Sequence, residues 1–269
     1  MRQEMVRTPH GSDGYLFMEA GEILGVAREQ NMDASLDWSG DTRETFLRKV
    51  ELGDESMVAE SEKFLAMIED QVPMSRGWRN VDDVVGAVPN VPAFLAGHPQ
   101  HMRRRERTMR NTAPLAIYMD LTSSGDISER DVCKRGVVLL ALTRMLVEHR
   151  AVELWVGASL GMAGRAGTVA WRVDTAPLDL ARSGYHVAAT AMSRMFGYHM
   201  CRKTFATSGG WPFDNYDLHR RTALTRMQAV LGNGGELMYV PPIYMSDPMT
   251  RDPVGWLKGV MAEYVGDTE

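Results

Sequence analysis

The chain has 269 residues, 44% of them hydrophobic and 24% charged, and a formal net charge of −5. These proportions exclude wholesale disorder, a collagen-like repeat and a coiled-coil rod, and the length suits one large domain or two small ones. No apolar run reaches the roughly 18 residues of a membrane span, the N-terminal MRQEMVRTPHGSDGY lacks the apolar core of a secretory signal, and the two cysteines, Cys133 and Cys201, form no disulfide framework, so a reducing cytoplasm is the expected compartment.

Residues 1–112 read as a helical, loop-rich N-terminal region. Asp41-Thr42-Arg43-Glu44 starts a segment carrying Phe46, Leu47, Val50 and Leu52. Residues 55–72 carry Met57, Val58, Phe64, Leu65, Met67 and Ile68 at roughly helical spacing, and Pro73 stops them. A turn-rich stretch with Gly77, Gly86, Pro89, Pro92, Gly97 and Pro99 follows, then the basic run HMRRRERTMRN.

From residue 113 the pattern is that of an α/β core, which forms one compact domain with the first region or stands beside it. LAIYMDL (115–121) is a short apolar run ending in an acid, as buried parallel strands often do. Ser128, with Glu129 and Asp131 behind it, starts a helix that runs to about His149. Residues 153–157 make a second strand and 167–174 a third, joined by the glycine-rich Gly161-Met-Ala-Gly164-Arg-Ala-Gly167. Pro177 opens a helix from Leu178 to about Met200, another helix is expected from Tyr216 to Leu231, LMYVPPIYM is extended, and DPVGWLKGVMAEYV closes the chain as a helix with Pro253 in its first turn. The expected architecture is a mostly parallel central sheet flanked by helices, without the many short strands of an OB barrel.

Charge is unevenly distributed. Residues 1–97 hold 9 basic and 18 acidic residues, 98–112 hold five arginines and one acid, and 113–269 hold 16 of each. Five guanidiniums within eight residues, Arg103, Arg104, Arg105, Arg107 and Arg110, repel one another unless they are solvated or face an anion, and phosphate is the usual anion. Aromatic residues alternate with further cations: Arg76, Trp78 and Arg79; Arg202, Lys203 and Phe205; Trp211 and Phe213; Tyr216 with Arg220, Arg221 and Arg226. A base stacks on an aromatic face while a neighbouring cation holds its phosphate. The ordinary alternatives are a solvated charged face for the cluster and core packing for the aromatics.

Asp120, Thr122 and Ser124 fall where ligands of open α/β sheets bind, at the carboxyl end of the first strand of this core. This spacing resembles the D-x-S-x-S cation motif of von Willebrand factor A domains, in which case a divalent ion there would hold a partner protein. That family also uses a later Thr and Asp; Thr207 and Asp214 are placed for the role, but the T-D-G element is missing. The competing account is an Asp and Ser/Thr turn capping the next helix. His98 with His101 and His199 with Cys201 lack the partners of a zinc site, and neither a phosphate loop nor a G-x-S-x-G elbow occurs. No catalytic residues and no cofactor are indicated, so the chain reads as a binding protein rather than an enzyme. Twenty methionines suit an adaptable partner surface or simple core filling.

Four segments, PLAIYMDLTSSGDIS, RGVVLLALTRMLVEHRAVELWVG, DTAPLDLARSGYHVAAT and MYVPPIYMSDPM, together resemble a family of tailed-phage proteins, and within it the single-stranded-DNA-binding RNA polymerase cofactors (Drc) of lytic podoviruses. The resemblance spans roughly residues 112–250. It implies a phage early protein in the host cytoplasm, without a membrane partner, that coats single-stranded DNA, helps a phage-encoded RNA polymerase engage its template, and possesses a non-OB fold. A homo-oligomer is compatible with it. The resemblance transfers no binding residue, so the DNA-contact expectations rest on charge and aromatic placement alone.

Overall fold

The computed structural model describes residues 1–8, 11–32, 36–68, 78–107, 114–123, 126–162, 165–205, 236–243 and 247–265, with backbone only at a few segment ends, among them 78–80 and 105–107. The centre is a six-stranded sheet in the order β1-β2-β8-β7-β6-β9. Its strands are β1 (Arg2–Thr8), β2 (Gly11–Glu19), β6 (Leu115–Asp120), β7 (Val152–Met162), β8 (Arg165–Val173) and β9 (Glu236–Val240). Three pairings are parallel (β2 with β8, β6 with β7, β6 with β9), and two are antiparallel (β1 with β2, β7 with β8). The fold is the expected mixed α/β class with a mostly parallel sheet.

β6 forms because every residue from Leu115 to Asp120 is buried, which places apolar side chains on both faces of an interior strand. Ser128 then starts α6 (Glu129–Val147) as foreseen, its hydroxyl accepting from the Asp131 amide. Thr42 likewise caps α3 (Arg43–Leu52) through the Thr45 amide, and α4 (Glu55–Ile68) follows. These helices join α1 (Ala20–Glu29), α7 (Leu180–Ala188) and α8 (Tyr198–Phe205) against one sheet face. There Leu16, Ile117, Leu154, Val156 and Trp171 meet Ile23, Phe46, Leu140, Tyr185 and Phe196 in the main core. Burying each such side chain stabilises the fold by about 1.5–3 kcal/mol. On the other sheet face Tyr15, Phe17, Ala116, Tyr118 and Ala170 cluster with Trp155, Leu237 and Tyr239, all strand residues among the described ones.

Two expectations are corrected. The N-terminal region is not simply helical and loop-rich: β1 and β2 belong to the six-stranded sheet, so the boundary at 112 does not divide it. The helix expected over 178–200 is broken. α7 stops at Ala188, Ala189 is extended, one π-helical turn covers Met192–Gly197, and α8 continues from there. Thr190, buried just after the break, donates to the Ser39 carbonyl, a tertiary bond that no periodicity encodes. The helix expected over 216–231 lies outside the described residues. α9 (Pro248–Arg251) and α10 (Pro253–Val265) close the chain.

Candidate nucleic-acid interface

The basic run is a strand. β3 (Trp78–Asp83), β4 (Val88–Pro89) and β5 (Met102–Arg107) form a separate antiparallel sheet with β5 in the middle. Its turns are tightly built. Gly86 lies against the Arg103 backbone, where a Cβ would come within 2.3 Å of the carbonyl oxygen. Asn90 caps the short helix α5 (Val91–Leu95) through the Ala93 amide, and Gly97, at φ +72°, takes the left-handed conformation that ends it.

Register sorts the cluster. Trp78, Asn80 and Asp82 stand opposite Arg107, Arg105 and Arg103, and opposed residues of a pleated pair share a face. That face therefore carries one tryptophan and three arginines against one aspartate. The reverse face carries Arg79 and Arg104 against Glu106 and Asp83, together with Val81 and Met102. Only the first is net positive. At its near end Arg103 Nε lies 3.6 Å from Asp82 Oδ1, both side chains about half exposed; on the reverse face Arg104 Nε lies 2.9 Å from Asp83 Oδ2. Exposed pairs of this kind are worth about 0–1 kcal/mol, so they yield readily to a phosphate.

The other expected contacts do not gather here. Arg202 and Lys203 are exposed on α8, which packs on β7 and β8, and Lys203 Nζ donates to Gln30 Oε1. Phe205, from the same group, is half-buried and packs on the main core. Arg76, Arg110, Trp211, Phe213, Tyr216, Arg220, Arg221 and Arg226 lie outside the described residues, as do Ser124, Thr207 and Asp214.

Asp120 sits at the carboxyl end of β6, an interior strand, with 3% of its surface exposed. Its Oδ1 accepts from the Thr122 amide at 2.8 Å and its Oδ2 from the Ser159 hydroxyl at 3.1 Å. The Thr122 hydroxyl is bonded to the Ser159 backbone. Burial raises the Asp120 carboxyl above its usual range, opposed by these hydrogen bonds and by the Arg135 charge. Arg135, itself buried, donates to the Asp120 carbonyl and pairs with Asp247 at 3.1 Å. Arg194, from the π-helical turn, donates to the carbonyls of Trp38 and Ile127. The carboxylate and hydroxyl proposed for a cation thus tie the end of β6 and the loop after it to β7, and among the described residues no group of three His, Cys, Asp or Glu is arranged for a metal. Cys201 points its thiol at the Ala158 and Gly167 carbonyls, and burial pushes its pKa up.

Sequence reasoning missed a strip of apolar residues on the three-stranded unit: Val84, Val85, Val88, Val91, Phe94 and Leu95 are each more than half exposed. Paired valines among glycines and prolines, with no periodic partner, were the available signal. Arg135, Ser159 and Arg194 gave none, because their partners, the Asp247 and Asp120 carboxylates and several backbone carbonyls, are distant in sequence.

The described residues thus define an α/β protein carrying a small basic β-unit. The chain belongs to the family described as a domain of unknown function (DUF7192), whose model matches residues 9–219. No curated protein and no solved structure matches it. Among the described residues no helix is long and apolar enough to cross a membrane.

Proposed function

We propose that this protein binds single-stranded DNA on the Trp78 face of the three-stranded unit and serves a phage-encoded RNA polymerase as a cofactor in the host cytoplasm. The observation that carries the DNA half is the β3–β5 register, which gives Trp78 and Asn80 the same face as Arg103, Arg105 and Arg107. An aromatic among arginines offers stacking and phosphate contact together, and only an unpaired base is available to stack. A net charge of −5 is no obstacle, because phosphates meet the local field of that face. The polymerase half comes from the phage resemblance and is supported by the exposed strip from Val84 to Leu95, an apolar surface of the kind that a protein partner covers.

Fluorescence anisotropy with labelled single strands and duplex at two salt concentrations tests the DNA half. The native protein is expected to prefer single strands. Trp78→Ala should lower that affinity about 5- to 150-fold, the equivalent of one lost stack, and leave weak duplex binding nearly unchanged. Equal loss on both substrates overturns stacking as the source of preference. In the polymerase arm, Val85→Ser with Leu95→Ser should abolish co-elution with the phage polymerase and spare DNA affinity; undiminished co-elution removes the strip from the reading.

A further inference from the structure

A cavity opens at the Asp82 end of the same unit, where α5 and the loop after it come against β3. Its volume is about 520 Å³, within the range of small-molecule sites. Pro92, Ala96 and Pro99 give it apolar walls, and Asp82, Asn90 and Gln100 bring a carboxylate and two carboxamides to it. Its shape is held from behind: the His98 amide donates to the Ala93 carbonyl at 2.9 Å, and His101 Nδ1 meets the His98 carbonyl at 3.1 Å while its ring packs edge-on against Phe94.

We infer that this cavity takes one unstacked cytosine of the bound strand. The inference rests on the single-strand reading above and deepens it from sequence-tolerant binding to a base preference. Asp82 shares a face with Trp78 and stands four residues along β3, about 13 Å away at the rise of a strand. A strand following that face therefore stacks one base on Trp78 and presents a later one to the cavity. An ionised carboxylate only accepts hydrogen bonds, so the base edge turned to Asp82 must donate. The cytosine N4 amine does so, and carboxylates accept from it in known base readout. Thymine places a carbonyl oxygen at the same position, where it meets the carboxylate acceptor to acceptor. Asn90 Nδ2 already donates to Asp82 Oδ1 at 3.2 Å, which orients the carboxylate, and it has a second N–H to give. The Gln100 carboxamide supplies a further donor for the cytosine ring nitrogen or carbonyl.

The test compares oligo-dC with oligo-dT of equal length on the full-length protein by anisotropy. Both are pyrimidine strands, so simple stacking does not separate them as a missing amine does. Native protein should bind dC at least about fivefold more tightly. Asp82→Asn offers both a donor and an acceptor and should bring the ratio close to one, through a gain on dT. Gln100→Ala should lower dC affinity and leave dT unchanged. Equal or tighter dT binding by native protein, or a dC preference that survives Asp82→Asn, overturns the cytosine site while leaving single-strand binding in place. Absence of binding to either strand overturns the single-strand reading and this site with it.

Discussion

The two sheets of this molecule are held together in opposite ways. In the six-stranded sheet Leu115, Ile117, Leu154, Val156 and Trp171 are at most 1% exposed, and a layer of helices covers their face. In the three-stranded sheet no described side chain from Val81 to Arg104 is buried, and its elements make their principal contacts with one another. Among the described residues, backbone pairing, the Asn90 cap, the Gly97 stop and the Arg103–Asp82 and Arg104–Asp83 ion pairs hold it. Side chains that are not spent on a core are available for recognition, and scaffolded surface units of this kind are where binding residues concentrate.

Truncating the core of the large sheet should have the largest effect. Trp171 is fully buried and meets Phe196 edge-on, with ring centroids 5.9 Å apart. Trp171→Ala should cost about 3–5 kcal/mol in urea denaturation. Val85→Ser, on a side chain 75% exposed, should stay within about 0.5 kcal/mol of the native protein. A comparable loss at Val85 would mean that the small unit is buried against something in solution and that the contrast is false.

Acid should act on the helical layer and spare the small unit. His186 of α7 is buried, and burial, helped by the Arg182 charge, lowers its imidazole from 6.5 to about 4. The folded state keeps it neutral while the unfolded chain takes up a proton below pH 6.5. Its contribution is therefore complete above pH 6.5 and is lost as pH falls towards 4, by about 3 kcal/mol. Asp120 acts in the opposite sense: its raised carboxyl binds a proton more readily in the folded state, so falling pH favours folding there. Comparing native protein with His186→Gln at pH 7 and pH 4 isolates the histidine. The native protein should lose about 3 kcal/mol more than the variant over that interval, and parallel losses would show that His186 is not the titrating group.

What was legible in the sequence follows the same division. The run Leu115–Asp120, the Ser128 cap, the segment start at Asp41–Glu44 and the Pro253 helix start were readable because each is a local signal, an apolar run or polar residues beside a helix end. β1 and β2 were not. Residues 2–14 are polar and interrupted by glycines, and β2 owes its place to parallel pairing with β8, about 150 residues away. At the candidate site the residue types were legible and their geometry was not. Arginines at 103, 104 and 105 hide the alternation of a strand, since both faces carry the same side chain, and only the register against β3 divides them. The bond that engages the Asp120 carboxylate was not legible for a related reason: its donor, Ser159, arrives from β7.

That division yields the smallest expected effect. Arg103 lies on the Trp78 face and Arg104 on the reverse, yet both are half exposed and both lie beside an aspartate. Net charge, exposure and sequence position barely distinguish them; the pleat of the strand does. If DNA follows the Trp78 face, Arg103→Ala removes one phosphate contact and makes the log–log salt slope shallower by about 0.7. Arg104→Ala should leave the slope within about 0.2 of the native value, because only its long-range field is lost and salt screens that beyond about 10 Å. Neither change should move stability by more than about 1 kcal/mol, since both side chains are half exposed and surface ion pairs contribute little. Anisotropy across a salt series measures both slopes. Equal slopes for the two variants would mean that the strand of DNA reads the arginines as a patch, in which case the register of β3 on β5 has no bearing on where it runs.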